Sequence, residues 1–386
     1  MKKTIFTLII AILVVVAFLI VPITVSADEL SDNINNQLEN LDLEELRGFI
    51  DEQMPSDAGD DFMTSVQKML KGEFDVDAES FFEYVLNLFF SQAGKALPSI
   101  IGVVIIAIFC GIFNSLKAGF LGDDTSNVVL FVAYLAVALI LATHFSMVFI
   151  ETKNIIEKLT KLVEIMSPII LTLMVASGGV VSASVFKPVV VLLSTGISNI
   201  FLYVILPLSV FTCVLSVLAH FSDTIRVGKF VDFGTSLIKW ILGLIIVIFG
   251  FFLTAQGITA SAHDGISIKA AKYALSNGVP LIGGFLGGGF DLIVAGSILI
   301  KNSIGIVGIF AFFYVVLSPI AYMVALNLSI KLCGAISETS SGGKISNICA
   351  SFSKGITYCV TCILVVSIMF FVTVLLMIFC ANSYFI

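Results

Sequence analysis

Few residues in this chain have the types and spacing that chemistry requires. His144, His220 and His263 are far apart and form no H-E-x-x-H pair, so a hydrolytic zinc site has no ligand set. Cys359 and Cys362 stand in "CVTC", the spacing of a redox pair. Their run is apolar and of helix length, where cysteine behaves as a small hydrophobe. "SSGGKIS" (340–346) mimics the end of a phosphate loop, but Glu338 stands where the first glycine belongs and Ile345 where Ser or Thr should follow Lys344. No G-x-S-x-G elbow occurs. The chain therefore reads as a non-enzyme, with no catalytic, cofactor-binding or metal-binding residue assigned.

One stretch remains. "GVPLIGGFLGGGFDLIVAGSILIK" (278–301) is long enough to cross a bilayer, yet holds seven glycines and a single acid, Asp291. On a helix Gly284 and Gly288 are one turn apart, as are Gly283 and Gly287, and Asp291 extends the 284/288 face. Small residues four apart let a second backbone approach closely, which is how helices pack in lipid. An ionised carboxylate in the apolar core costs about 2.5 kcal/mol or more, so Asp291 is expected to face polypeptide. The alternative is that "GGFLGGG" unwinds, which is tolerated only where protein or a water-filled cavity surrounds it. Lys187, before Pro188, marks a boundary between two helices, and Lys301 reads as an interface anchor. A pairing of either lysine with Asp291 is a further expectation.

The elements that must position these residues follow from composition. Of 386 residues 58% are hydrophobic and 12% charged, too few polar groups to cover a water-soluble globule. The fold class is an all-α polytopic membrane protein. Between Asp28 and Lys95 lie 17 of the 27 acidic residues and four of the 20 basic ones, so the acidity belongs to one segment. Nothing resembles a basic nucleic-acid face.

Lys2 and Lys3, an apolar run and a small-residue ending predict an N-terminal signal peptide over 1–27, cleaved after Ala27. The same run is long enough to stay as an uncleaved anchor. In either case residues 28–97 form an exported, acidic, helical region. There Leu30, Ile34, Leu38, Leu41, Leu46 and Ile50 recur at helical spacing, and Phe62, Val66, Leu70 and Phe74 form a second stripe. A third, aromatic-rich stretch leads into the membrane domain, 98–386.

Apolar runs at 98–116, 128–150, 166–186, 188–219, 235–258, 278–300, 303–332 and 355–381 predict about seven or eight membrane helices. One or two are broken or re-entrant: "STGISN" interrupts 188–219, and Gly178 and Gly179 break 166–186. If all eight cross, 258–276 and 337–355 face the cytoplasm, with Lys269, Lys272, Lys344 and Lys354 inside. The same count puts Arg226 and Lys229 outside, against the positive-inside rule. "ETKNIIEKLTKLVEIMS" (151–167) predicts an amphipathic surface helix or docking site, with Glu157 and Lys161 as an i,i+4 pair.

The export signal, the acidic exported region, the multi-span remainder and "IKAAKYALSNGVPLIGGFLGGGFDLIVAGSILIKNSIGIVGI" (268–309) together resemble the stage III sporulation protein AE family. The resemblance implies a non-enzymatic component of a channel or secretion-like complex linking mother cell and forespore in endospore-forming bacteria. It implies a multi-pass protein of the mother-cell-derived membrane around the forespore, with residues 28–97 on the extracytoplasmic side. Implied partners are other stage III sporulation operon membrane proteins, a separate ATPase and, indirectly, a ring that meets stage II sporulation protein Q. A homo-oligomer is also compatible. The competing reading is a secondary transporter whose site is the broken glycine-rich helix around Asp291.

Overall fold

A computed structural model describes residues 33–34, 36–39, 41–53, 61–70, 78–96, 98–120, 123–221, 227–278, 283–341 and 343–380. The expected signal segment and its end at Ala27 lie outside the described residues. Every described element is helical.

Two short helices come first, α1 (Glu44–Gln53) and α2 (Phe62–Leu70). Glu44 and Glu45 occupy the first turn of α1, where the positive end of the helix dipole favours them. Asp61 caps α2: its carboxylate accepts the Thr64 backbone N–H at 3.0 Å, and Asp51 accepts the Phe62 N–H at 2.8 Å. The periodic residues are the buried ones, Ile34, Leu38, Leu46, Ile50, Phe62 and Val66 among them.

α3 (Ala78–Ala96) follows, then α4 (Pro98–Phe120), which opens on a proline that needs no hydrogen-bond donor in a first turn. α5 (Asp123–Ala176) has 54 residues, about 80 Å at 1.5 Å per residue, against about 30 Å of bilayer core. It ends in a turn at Ser177–Gly179, where Gly178 takes φ 87°. α6 (Val180–Val191) then runs without a break through π-helical turns Leu192–Ile197 and Phe201–Ile205 into α7 (Leu206–Phe221). Three long helices complete the chain: α8 (Gly228–Gly278), α9 (Gly283–Ser341) and α10 (Lys344–Phe379).

From α5 onward, α5 and the Val180–Phe221 path, α7 and α8, and α9 and α10 pack as antiparallel neighbours. Thr160 of α5 donates to Ser198 between the π turns, Gly234 of α8 lies beside Thr212 of α7, and Gly334 of α9 lies beside Cys349 of α10. The core runs along α10, with Phe145 and Phe352 edge to face at 6.0 Å. Gly355 lets these helices close: a Cβ there would meet the Phe145 ring at 2.8 Å and Cys213 Sγ at 3.0 Å. All seven cysteines are free thiols, six of them buried, including Cys359 and Cys362.

Several expectations change. Among the described residues five helical stretches are long and apolar enough to cross a membrane, six if the bent pair Val85–Ala96 and Ile101–Cys110 counts as one, against the seven or eight runs expected. The 166–186 run is not a span of its own. Its first half completes α5, and its second half opens the helical path from Val180 to Phe221. "STGISN" is absorbed in π-helical turns, and Pro188 lies inside α6, so Lys187 marks no boundary. Residues 258–276 and 337–355 do not share one end: α8 finishes, and α9 begins, at the end of the bundle opposite the α9–α10 connection.

Candidate docking interface between the acidic helices and the bundle

The 151–167 stretch is continuous with α5, and its apolar stripe is buried: Ile155, Ile156, Leu159, Leu162 and Val163 are each at most 2% exposed. Its charged face stays open and receives α1. Phe49 places its ring 5.7 Å from the Lys161 ammonium, a cation–π contact. Glu157 pairs with Lys153 at 3.6 Å, so the expected Glu157–Lys161 pair gives way to a Lys153–Glu157 pair one turn earlier.

A second contact ties the N-terminal residues to α9. The Gln37 amide donates to the Ile293 carbonyl at 3.3 Å and accepts from the Ser297 hydroxyl at 3.0 Å. The backbone at Gly296 sits directly beneath: a Cβ there would lie 3.1 Å from Gln37 Nε2 and 3.4 Å from Asn33 Oδ1. Lower on the same helix, Gln92 of α3 donates to Ser318 at 3.0 Å.

Asp291 stands one and a half turns before Gly296. Its carboxylate accepts the Lys272 ammonium at 2.6 Å, an ion pair joining α8 to α9 near their connection. The two side chains are 37% and 41% exposed. The acid thus has a polypeptide partner, as the sequence required, but the partner is Lys272. Lys187 is exposed on α6. Lys301 is ten residues further along α9, about 15 Å of helix rise from Asp291. It is fully buried, and its ammonium donates to the Cys380 carbonyl at the end of α10, where the helix dipole favours a cation. α9 is helical from Gly283 onward, through Gly284, Gly287 and Gly288, so no unwinding occurs at "GGFLGGG". The surroundings of those four glycines lie outside the described part of the structure.

Within α1 and α2, Arg47 bridges two carboxylates: its Nη2 lies 3.0 Å from Asp61 and its Nε 3.5 Å from Asp51. The hydrogen bonds from Thr64, side chain first and backbone second, hold the Asp61 carboxyl below its usual range, and Arg47 adds to this. Among the described residues no group of three or more His, Cys, Asp or Glu could hold a metal ion.

The arrangement defines a class: an all-helical protein with several helices long and apolar enough to cross a membrane, and two short helices docked against them. A profile described as Stage III sporulation protein AE matches residues 61–381, and the chain belongs to that family. It is similar to Stage III sporulation protein AE of Bacillus subtilis (strain 168), 24% identical over 321 residues, which are 82% of this chain and 80% of that protein. No solved structure matches.

Proposed function

We propose that this chain is a non-enzymatic membrane subunit of a sporulation complex connecting mother cell and forespore. Its work is to hold an exported helical cluster in fixed register with membrane helices. The observation that carries this reading is the pair of contacts from one exported segment: Gln37 on Ile293 and Ser297, and Phe49 on Lys161. A solitary transporter has no need of an acidic helical cluster clamped to one end.

The orientation follows from export of residues 28–97. The end of the bundle that carries α1 then faces outward, together with the α8–α9 connection and Cys380. The opposite end faces the cytoplasm with Lys229, Lys344 and Lys354, as the positive-inside rule prefers, while Lys269 and Lys272 lie outside against it. With 180–221 as one crossing, Lys229 is no longer misplaced. The chain makes six crossings on this reading, in the mother-cell-derived membrane around the forespore. Its partners are further stage III sporulation membrane proteins, with an ATPase on the cytoplasmic side and a ring reaching stage II sporulation protein Q on the other.

Asp291 does not favour the transporter alternative. It is ion-paired, partly exposed and two residues from the Ile293 carbonyl that the exported segment binds. The test is reconstitution: liposomes holding this protein alone should not concentrate small solutes, and an affinity-tagged copy should bring down other stage III membrane proteins from sporulating cells. Concentrative uptake by the lone chain would overturn the proposal.

A further inference from the structure

Between α1, α5 and the π-helical link lies a groove of about 810 Å³, within the range of ligand-binding clefts. Its rim carries Asp42 and Glu45 from the start of α1 and Glu164 from α5. None of these three carboxylates has an ion-pair partner among the described residues. Glu157 also lines the groove, engaged by Lys153, as does a single cation, Lys161, engaged by the Phe49 ring. The charge of the cleft is therefore strongly negative.

The walls are mixed. Leu41, Pro168 and Leu202 give an apolar strip, and Ser194 and Ser198 lie behind it. Ser198 is fully satisfied, donating to the Leu193 carbonyl five residues back, the spacing of a π turn, and accepting from Thr160. Ser194 is not. It is 6% exposed, lines the cleft, and has no hydrogen-bond partner among the described residues. Its hydroxyl is thus available to the cleft, and π turns recur at functional sites.

We infer that this groove docks a basic amphipathic helix of a partner protein. The helix lays apolar residues along Leu41, Pro168 and Leu202 and sets lysines or arginines against Asp42, Glu45 and Glu164. Charge complementarity selects the occupant: an acidic or neutral helix would leave three carboxylates facing each other across a narrow cleft. A small cation would not use the apolar strip. The inference relies on the proposed function only for the side of the membrane the groove faces. The binding itself is testable without reference to sporulation.

The experiment uses the full chain in detergent and a labelled helical peptide of leucines and lysines at amphipathic spacing, followed by fluorescence anisotropy. The lysine peptide should bind saturably, more weakly as salt rises, and its glutamate counterpart should not bind. Replacing the rim together (Asp42→Asn, Glu45→Gln, Glu164→Gln) should weaken binding about tenfold, the combined effect of three exposed ion pairs. Leu202→Gln should weaken it as well. These are near-isosteric or exposed changes, and unaltered melting will confirm folding. Should the triple variant not fold, the lysine-over-glutamate preference of the unmodified chain decides. Equal binding of both peptides, or of the neutralised variant, overturns the inference. So does spermine displacing the peptide while Leu202→Gln is silent, which marks a small-cation site, or self-association through the groove, which marks a second copy.

Discussion

Lys272 and Asp291 meet at 2.6 Å across the α8–α9 hairpin, from positions 19 residues apart. Each sits in a helix continuous with an apolar span, and each would be costly there alone. Together, and only partly buried, they close the outer end of the hairpin beside the Gln37 contact.

Asp291→Asn and Lys272→Met should each lower the stability of the solubilised protein by at most about 1 kcal/mol, as expected for a pair this exposed. The swapped pair Asp291→Lys with Lys272→Asp should recover most of that loss, whereas Lys187→Met should change nothing. A double-mutant cycle by thermal unfolding reads the coupling. Zero coupling would remove the clamp from the account.

Gly296 marks a close approach of the N-terminal segment to α9. Gly296→Val should push Gln37 off Ile293 and Ser297 at a cost of roughly 1–3 kcal/mol, the range for overpacking a tight contact. Limited proteolysis should then cut within residues 33–70 faster, while the bundle resists as before.

The N-terminal helical cluster should weaken in acid. The folded-state pKa of Asp61 lies below its unfolded value, so its contribution is present above the unfolded pKa and fades as pH falls through the folded one. Asp61→Ala removes the cap of α2 and should cost about 1 kcal/mol at neutral pH. It should also flatten the acid limb of the cluster's unfolding curve. An unchanged acid limb would show that other carboxylates set it.

Much of this architecture was legible because the signals were local. Leu46, Ile50, Phe62 and Val66 recur at helical spacing and are buried, as is the apolar stripe of 151–167, whose charged face meets α1 through Lys161. The span count was not legible. A run of hydrophobic residues has the same composition whether it crosses once or turns at Gly178, and "STGISN" reads as a break although π turns carry the helix through it. The partner of Asp291 was hidden for a related reason. Lys272 belongs to a polar stretch that looks like a loop, and only continuity of α8 over 51 residues brings it back to α9. Lys301 looked like a surface anchor because sequence cannot show that the end of α10 folds over it.

Topology separates the two countings directly. Lys269→Cys should react with an impermeant maleimide added outside protoplasts, whereas Lys344→Cys should react only after permeabilisation. Both side chains are exposed, so access depends on the side of the membrane alone. Labelling of both from the same side would restore the eight-run count.

The most direct test of the docked register joins its two sides covalently. Gln37→Cys with Ser297→Cys should be joined in native membranes by a short bis-maleimide, whose spacer replaces the length of the glutamine that reaches Ser297 at 3.0 Å. Arg47→Cys with Asp61→Cys, treated with the same reagent, serves as the positive control within the N-terminal cluster, since the native side chains there also meet at 3.0 Å. A crosslink for both pairs is the expected result. A crosslink for the control alone would contradict the account, because the N-terminal helices would then not rest on α9.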